Sequence, residues 1–449
     1  MGIARVVTNY EGLFSALVNN LNIVKDLDVG HLWMWSEELG RHIRIKEIGD
    51  VIRGAIYNDV PNLKPSILSE LGPIVPVIAP VQKITSGLSP TLISFKNGVY
   101  DVATGELSPH TKTIYPNQIP HDYPDLGVEV ANEVFKEEFR FINELFGSWA
   151  SDINNSVDEQ IITEILEVIG YCMTWGTKAE KAVFLVGNAK NGKSVFTNLL
   201  TYLLGPHNAS AEGLGQITEN IFASANLYGM LANINSDISV GVIKDPAVFK
   251  KLVSGDRISS QFKSKDAFVH TPYSKLVFCT NKIPYVLDGA DSDAIDRRLK
   301  LIHFRNKFSK GPGFADIEKY LYHEKTIAAL IWLAVDALRG FIGRGYIFTE
   351  SVSARKLYED YLYENDQVFE YLSNITVTDK SETLALFNDY MLWCSSLHYK
   401  PVLKTSFVKK VVKYYRRKNI VVSILKVNPK GGKIGYDIFR FHIPHETER

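Results

Sequence analysis

Between about Lys178 and Phe308, short apolar runs alternate with longer stretches in which apolar residues recur at helical spacing. The short runs have the length of strands and read AVFLV, MLANI, KLVFCTN and LKLIHF. An alternation of this kind is typical of a sheet flanked by helices. The pattern therefore predicts an α/β core over this part of the chain.

The segments that flank this core follow other patterns. Thr91 to His110 has two short apolar runs around Asn97-Gly98, a pair typical of a type I′ hairpin turn, and it predicts a small β meander. Apolar residues recur at helical spacing from 128 to 177 and again from 315 to 374. The core is thus expected to lie between two mainly helical segments.

The last segment predicts two helices followed by a strand, a turn and a strand. SETLALFNDYMLWCSSL is the first helix, with Ser381 as its expected N-cap, and KTSFVKKVVKYYRRKN is the second. The second helix has an apolar stripe formed by Phe407, Val411, Val412 and Tyr415. This order of elements is that of a winged helix.

Composition narrows the class of protein. A chain of 449 residues favours two or three domains, and 45% hydrophobic with 22% charged residues is globular rather than disordered. The cysteines Cys172, Cys279 and Cys394 lie far apart, which argues against a disulfide framework or a zinc site and favours a reducing compartment. No apolar run approaches eighteen residues and the start lacks a signal-peptide core, so we expect a cytoplasmic protein without a membrane partner.

Positive charge is concentrated at the end of the chain. The formal net charge is zero, but thirteen Lys or Arg residues stand against three acids from Ser396 onward. Lys409, Lys410 and Lys413 lie on the second predicted helix of this segment. A basic end on a neutral protein predicts contact with nucleic acid or a membrane surface. The alternative, a solvated charged face, stays open.

The stretch GNAKNGKSVF fits the Walker A pattern, with Gly187, Gly192, Lys193 and Ser194 at its fixed positions. It follows a predicted strand and begins a predicted helix, a context that disfavours a chance glycine-rich turn. The glycines let backbone N–H groups turn toward phosphates, Lys193 meets the β and γ phosphates, and Ser194 ligates Mg²⁺. The loop expected to contact the nucleotide comprises Gly187, Asn188, Ala189, Lys190, Asn191, Gly192, Lys193, Ser194 and Val195.

Two further polar residues follow predicted strands. Asp237 comes after MLANI, where an acid can hold the Mg²⁺ shell and polarise a water, although it could equally be a loop cap. Asn281 comes after the strand that contains LVFC, where an amide can face the γ-phosphate, although an isolated Asn is more often a turn residue.

An arginine pair, Arg297 and Arg298, stands just before the last predicted strand. An arginine here could reach the γ-phosphate of a neighbouring subunit as a finger. Surface ion pairing with Asp293 or Asp296 is the alternative for these residues taken alone.

Taken together and in this order, the motifs resemble the superfamily 3 helicases, and specifically the primase-helicase branch of poxviruses, phages and plasmids. KKLVSGDRISSQFKSKDAFVHTPYSKLVFCTNKIP is similar to the Gly-Asp, Lys, Pro, Lys-Leu, Asn and Pro sequence of that branch. DAIDRRLKLIHF matches its Ala-Ile, Arg-Arg and Phe pattern. The resemblance covers roughly residues 90 to 440 and is most specific from 183 to 304.

The resemblance implies an AAA+ P-loop ATPase core of α/β class that binds ATP and Mg²⁺ and works as a homo-hexamer on single-stranded DNA, moving 3′ to 5′. It implies that Asp237 is the Walker B acid and a magnesium ligand with Ser194, that Asn281 is the sensor, and that one arginine of the pair is the finger in trans. It also implies that Lys265, together with Lys263, lies on a hairpin that touches DNA phosphates without reading sequence. A solvated hairpin charge is the alternative for these lysines.

The same resemblance, joined to the patterns above, divides the chain into five parts. We expect a mixed α+β N-terminal domain at 1–125, a helical collar at 126–177, the ATPase core at 178–310, a helical segment at 311–365 and a basic winged-helix-like domain at 366–449. The last domain would contact duplex DNA, an origin or a partner such as a primase.

The sequence departs from the family pattern in two ways. Many members have two acids in the B motif, whereas Ser239 stands at the second position here, which leaves the water-orienting residue open. The region before residue 90 has no convincing pair of carboxylates for primase chemistry, so we expect a helicase alone or a fragment of a longer protein.

The rival functions are a duplex-DNA initiator or loader ATPase that does not unwind, a P-loop phosphotransferase, and a DNA-binding scaffold whose P-loop only tightens assembly. The combined order of the motifs argues against the last two.

Overall fold

The protein is described from a computed structural model. The residues that it describes are 18–19, 21–36, 41–45, 48–51, 73–84, 88–111, 113–152, 154, 156–236, 243, 245–284, 292–308, 314–376, 380–418, 420–427 and 436–442. Within them the chain divides after Ala354 into two compact units, and each is described by itself.

The first unit begins with a small mixed sheet that the sequence did not reveal. Its elements are β1 (Val24–Asp26), β2 (Leu32–Ser36), β3 (Arg41–Arg44), the short helix α1 (Val75–Ile78) and β4 (Val81–Gln82). The strand order is β3-β2-β1-β4, and only the β1–β4 pair is parallel. We call these four strands the N-terminal sheet.

The predicted β meander is present as β5 (Leu92–Phe95), β6 (Gly98–Asp101) and β7 (Glu106–Ser108). The predicted type I′ turn at Asn97-Gly98 is wrong, because Phe95 pairs with Gly98 and the turn residues are Lys96 and Asn97, neither with a positive φ. Gly98 is instead required in the strand, where an added Cβ would lie 2.6 Å from the carbonyl oxygen of Ser108.

Three helices follow the meander, as the helical spacing predicts. They are α2 (Val128–Val134), α3 (Lys136–Ala150) and α4 (Glu159–Cys172). Their apolar faces join one continuous core with the meander and the central sheet, including Phe146, Trp149 and Ile165.

The α/β part contains the four predicted strands and three more. Its elements are β8 (Ala182–Val186), α5 (Lys193–Leu204), a 3-10 turn (Pro206–Asn208), β9 (Ala209–Ser210), α6 (Leu214–Glu219), α7 (Ile221–Ala225), β10 (Ala232–Asn235), α8 (Pro246–Ser254), β11 (Ile258–Gln261), β12 (Ala267–His270), β13 (Lys275–Thr280), α9 (Ser292–Asp296) and β14 (Leu299–His303).

Five of these strands form a parallel sheet in the order β14-β8-β13-β10-β9. Strands β8 and β13 are buried along their whole length, as expected for a parallel sheet covered on both faces. Strands β11 and β12 stand apart as an antiparallel hairpin. Because the five strands run the same way, the sheet has one carboxyl edge and one amino edge, and these two terms are used below.

Two helices complete the first unit, α10 (Phe314–Leu321) and α11 (Glu324–Gly343). Helix α11 is long and apolar enough to cross a membrane by length and composition, which the expectation from apolar runs had missed. Its residues Leu330, Val335 and Leu338 are nevertheless completely buried in the core of this unit. Its apolar character is that of a central packing helix.

The second unit contains the rest of α12 (Val352–Asn365), then α13 (Gln367–Ser373), β15 (Lys380–Glu382), α14 (Thr383–Ser396), α15 (Lys404–Arg417), β16 (Val421–Val427) and β17 (Tyr436–His442). The strands form an antiparallel sheet in the order β15-β17-β16. The core includes Phe407, Val411 and Tyr415 from the stripe of α15. The predicted N-cap is wrong, because Ser381 lies in β15 and the N-cap position of α14 is Glu382, whose side chain forms no capping hydrogen bond.

Candidate functional site

The Walker A loop lies at the carboxyl edge of the parallel sheet. Strand β8 leads into it and α5 begins at Lys193, which is the strand–loop–helix arrangement that the sequence predicts. The Gly187 N–H donates to the carbonyl oxygen of Thr280 at 3.2 Å, so the loop starts directly beside the end of β13. Ligands of open α/β sheets bind outside this edge, where loop amides and a helix N-terminus meet.

Both fixed glycines of the loop are required by close contacts. Gly192 has φ +96°, and a Cβ there would lie 2.5 Å from the indole nitrogen of Trp149. A Cβ on Gly187 would lie 2.3 Å from the carbonyl oxygen of Phe304. The loop can therefore keep this compact curvature only with glycine at these two positions.

The lysine of the loop points into its centre. The Lys193 ammonium donates to the carbonyl oxygens of Gly187 at 2.5 Å and Asn188 at 2.9 Å, and to Oδ1 of Asn191 at 3.1 Å. Lys193 is buried, whereas Ser194 is exposed in the first turn of α5. A buried cation held by three oxygens at a helix N-terminus is placed to exchange those oxygens for phosphate oxygens.

The loop is braced from two sides that sequence reasoning missed. Asn191 donates through Nδ2 to the carbonyl oxygen of Phe304 at 3.2 Å, and the Phe308 N–H donates to the carbonyl oxygen of Lys190 at 2.7 Å. The ring of Trp149, at the end of α3, lies 5.6 Å from that of Phe304. No local sequence motif predicts these contacts. The partners of Lys190 and Asn191 are more than 100 residues away, and Trp149 belongs to a helix outside the sheet.

Asn281 comes directly after β13 at the same edge and is exposed. Thr280 pairs with Val186, the last residue of β8, which places Asn281 level with the start of the loop. Asp237 and Ser239 lie outside the described residues, and β10 ends at Asn235. Among the residues that are described, no cluster of three or more His, Cys, Asp or Glu side chains is arranged to hold a metal ion.

The arginine pair lies at the opposite, amino edge. Leu299, the first residue of β14, pairs with Ala182, the first residue of β8, so Arg297 and Arg298 precede the sheet while the Walker A loop follows it. The five residues of β8 alone span about 13 Å. The structure therefore does not bring the two arginines together with the loop of the same chain.

The two arginines have different surroundings. Arg298 is only 8% exposed, and its guanidinium donates to Ser254 Oγ at 3.0 Å and to the carbonyl oxygen of Ala294 at 2.9 Å. Burial, followed by the charge of Arg297, lowers the pKa of Arg298. Arg297 is exposed. Of the two arginines, Arg297 is the one placed to meet another molecule.

Two buried lysines also lie at the amino edge. Lys275, the first residue of β13, donates to the carbonyl oxygen of Thr174, and its Nζ lies 5.2 Å from the ring centre of Tyr171. Burial lowers the pKa of Lys275 to about 7. Lys300, on β14, forms an ion pair with the fully buried Glu164 at 2.8 Å.

The predicted hairpin lysines lie where the sequence places them. Lys263 and Lys265 are exposed in the turn between β11 and β12. The turn is closed by the Lys265 N–H, which donates to the carbonyl oxygen of Phe262 at 3.0 Å, and by Gln261 Nε2, which donates to the carbonyl oxygen of Lys265 at 2.8 Å. The two cations are therefore presented by an ordered turn.

This hairpin is docked on the N-terminal sheet. The Tyr228 hydroxyl donates to Oδ2 of the buried Asp26 at 2.6 Å, and the Tyr228 ring lies 5.5 Å from that of Phe268 on β12. His31, at the start of the β2 segment, lies 5.6 Å from Phe262. Burial raises the pKa of Asp26, with the hydrogen bond from Tyr228 acting in the opposite direction.

The lysines of α15 in the second unit are less uniform than their sequence suggests. Lys409 is exposed, whereas Lys410 forms an ion pair with Asp366 at 2.7 Å. Lys413 is half-buried. The structure thus places these three cations in three different environments, and their contact with DNA stays a prediction.

Two family models match parts of the first unit. One is described as D5 N terminal like and matches residues 30–166. The other is described as a family of unknown function (DUF5906) and matches residues 185–298, the segment from β8 to the arginine pair. The second match thus contains the Walker A loop, the hairpin and Asn281.

Two curated viral proteins are similar to this chain, and both are named as candidate helicases. One, from Invertebrate iridescent virus 3, is 26% identical over 232 residues, which cover 49% of this chain and 23% of that protein. The other, from Acanthamoeba polyphaga mimivirus, is 26% identical over 240 residues, which cover 49% of this chain and 22% of that protein. The matched segments thus span about a quarter of the length of these relatives.

Among solved structures, the apo form of the NrS-1 C-terminal region is similar with a TM-score of 0.45 and 12% identity, covering 96% of this chain and 98% of that one. The D5 N-terminal-like match and the two viral relatives support the coarser part of the resemblance, a similarity to viral proteins that are named as helicases. The mixed α/β architecture with a parallel sheet is likewise confirmed.

Proposed function

We propose that the chain is an ATP-driven DNA motor of the superfamily 3 helicase type, with an AAA+ core that works as a ring on single-stranded DNA. The observation that carries this proposal is the arrangement of the sheet. The Walker A loop and Asn281 lie side by side at the carboxyl edge, while an exposed arginine lies at the other edge.

The residues at the carboxyl edge fit a magnesium nucleotide. The cradle formed by Gly187 and Gly192 excludes any Cβ, and the Lys193 ammonium lies inside it. The exposed Ser194 hydroxyl, on the first turn of a 12-residue helix, is the first-turn group that would ligate Mg²⁺. When bound, magnesium ATP supplies the phosphoanhydride bond whose hydrolysis drives movement.

Each residue then has a defined task. Lys193 would neutralise charge on the β and γ phosphates, and Asn281 would hydrogen-bond at the γ-phosphate from the next strand. Asp237 would polarise the attacking water, a task that Ser239 cannot share because it has no carboxylate.

The position of the arginines favours a ring. Arg297 is a strand length away from the loop of its own chain, so it would reach a γ-phosphate only in a neighbouring copy. A heterologous, head-to-tail interface that repeats by rotation closes into a ring. The number six and the 3′ to 5′ direction come from the family resemblance alone.

The exposed hairpin lysines would contact the DNA strand in the channel through phosphates. The second unit, with its exposed Lys409 on α15, is proposed as a winged-helix-like site for duplex DNA or a primase partner. The location of the protein would be the interior of the host cell.

The experiment is steady-state ATP hydrolysis with and without single-stranded DNA. We expect stimulation by the strand, loss of hydrolysis in Lys193→Ala, and no change in Lys178→Ala, which removes an exposed lysine outside the loop. A strand-displacement assay then separates a helicase from a loader that hydrolyses ATP without unwinding.

Three outcomes would contradict the proposal. Hydrolysis that is indifferent to DNA would favour the loader, and hydrolysis that requires a small acceptor would favour a phosphotransferase. If Lys193→Ala keeps the function of the wild type, the P-loop would serve only to tighten assembly of a DNA-binding scaffold.

A further inference from the structure

A pocket of about 500 Å³ lies between the N-terminal sheet and the tip of the β11–β12 hairpin. The turn between β1 and β2 and the end of β3 form one wall, and the hairpin forms the other. We call it the hairpin pocket. Its wall residues of interest are His31, Arg44, Phe262, Lys263, Lys265 and Phe268.

The hairpin pocket has an excess of positive charge. Arg44, Lys263 and Lys265 are exposed on its walls. Of the two acids in the walls, Asp28 has its Oδ2 3.9 Å from the Lys83 ammonium, and Asp266 lies in the hairpin turn. The walls thus contain three cations and two acids, and an excess of positive charge attracts an anionic chain.

His31 is kept in its neutral form by burial and by the neighbouring positive charges. Burial lowers its pKa to about 4, and the charges of Arg44 and Lys265 act in the same direction. The imidazole is therefore neutral at pH 7, and its Nε2 accepts from the Arg44 guanidinium at 3.0 Å. The bond orients Arg44, so this cation from the N-terminal sheet acts in the same pocket as the cations of the hairpin.

Aromatic rings form the floor between these cations. Phe262 and Phe268 are stacked with centroids 5.2 Å apart and planes inclined by 13°, and His31 extends the row at 5.6 Å from Phe262. The three rings are half-buried, so each keeps part of its surface accessible. Rings flanked by cations are the surface on which proteins bind single strands, because every base has a face that stacks.

We propose that the hairpin pocket binds single-stranded DNA, with Arg44 of the N-terminal sheet neutralising a phosphate and Phe262 stacking on a base. This proposal rests on the proposed function and deepens it. It assigns part of the DNA contact to Arg44 on β3, a strand that lies more than 200 residues before the hairpin in sequence. Binding is independent of base sequence, because neither a phosphate nor a stacking face distinguishes the bases.

The test is equilibrium binding of a fluorescent oligothymidylate to the full chain at several salt concentrations. Each phosphate contact to a single strand contributes a slope of about −0.7 in log affinity against log salt, so Arg44→Ala is expected to bind about fivefold more weakly at 0.1 M salt and less than twofold more weakly at 0.5 M. Arg44→Lys keeps most of the affinity. The matched control Lys136→Ala, an exposed lysine on α3 outside the pocket, binds as the wild type does.

The ring is tested by a different signature. Phe262→Leu is expected to weaken binding about tenfold at every salt concentration, because base stacking is not electrostatic. Phe262→Tyr keeps the ring and restores binding, which separates stacking from a folding defect.

The outcomes distinguish the two proposals. If the wild type binds DNA and its hydrolysis is stimulated, but Arg44→Ala and Phe262→Leu bind equally well, the hairpin pocket proposal is wrong and the proposed function stands. If the wild type neither binds the strand nor responds to it, both are wrong.

Discussion

The two edges of the parallel sheet use positive charge in opposite ways. At the carboxyl edge, glycines and backbone groups shape a loop around Lys193, whose ammonium points into the centre of that loop. At the amino edge, Lys275 and Arg298 are held by carbonyl and hydroxyl oxygens of the protein itself, and Arg297 faces outward. At one edge the cation lies inside a glycine-shaped loop, and at the other two cations are satisfied by the protein itself while Arg297 is exposed.

The largest effect that would test this comparison is expected at Arg297. Arg297→Ala should slow ATP hydrolysis about a thousandfold, the lower end of the range for arginine fingers, while nucleotide binding persists. An equal mixture with Lys193→Ala should recover about a quarter of the wild-type rate. In a ring assembled at random from the two variants, about one interface in four combines an intact loop from one subunit with an intact Arg297 from its neighbour. Steady-state hydrolysis of the single and mixed proteins measures this.

Arg298→Ala is the matched comparison for that experiment. Its guanidinium is held by Ala294 and Ser254, so its loss should cost about 1–2 kcal/mol of stability, seen as a lower melting temperature. If Arg298→Ala instead slows hydrolysis while its melting temperature stays that of the wild type, Arg298 is the finger and Arg297 is not.

The next effect is on stability and concerns the buried ion pair between Lys300 and Glu164 at the amino edge. Lys300→Met leaves the fully buried carboxylate of Glu164 without its cation, and removing one partner of such a pair costs about 3 kcal/mol or more. The double change Lys300→Met/Glu164→Gln should regain most of this loss, because the amide still accepts from the Ser351 N–H. Urea unfolding compares the variants, and equal losses in both would show that charge burial is not the cause.

At the carboxyl edge, Gly192→Ala should weaken nucleotide binding about thirtyfold, because the loop must shift to accept the new Cβ. This loss corresponds to about 2 kcal/mol of binding free energy. The cause is the contact of a Cβ with the indole of Trp149. Gly229→Ala is the control, because Gly229 also has a positive φ, +77°, but no neighbour within 4 Å of the added carbon. Titration with a fluorescent ATP analogue gives both affinities; similar losses would mean that strain, rather than the clash, decides.

The effect that is smallest per step of the measurement concerns Lys275 and pH. Its pKa in the folded chain is lowered to about 7, so above this pH the unfolded chain binds one more proton than the folded one. Stability should then rise with pH above about 7, by up to about 1.4 kcal/mol per unit from this group. Comparing melting temperatures of the wild type and Lys275→Met from pH 6 to pH 9 isolates the contribution, and parallel curves would exclude it.

The local structure of the candidate site at the carboxyl edge was predictable because its signals are local. The strand, the glycines and the helix around Lys193 are adjacent in sequence, and so are the residues of the hairpin turn. The edge at which Arg297 lies depends instead on the direction of β14 beside β8, which no local pattern states. The pairing of Lys410 with Asp366 and the start of α14 one residue later than expected, after Ser381 and Glu382 pair with β17, likewise depend on tertiary neighbours.

The N-terminal sheet was not predicted because it too depends on contacts between distant parts of the sequence. Its strands are short, and their partners at the hairpin lie far away in sequence. Only the folded chain brings Asp26 to Tyr228.

That contact has a mechanical consequence. A hairpin fixed only at its base can swing by bending its own two strands. Here the hairpin tip is packed against a second sheet through the rings of Phe262 and His31. Tyr228, which follows α7, packs on Phe268 of the hairpin and donates a 2.6 Å hydrogen bond to Asp26 of that sheet. Any displacement of the tip must therefore either carry the N-terminal sheet with it or separate these rings, so the hairpin is a supported element rather than a free one.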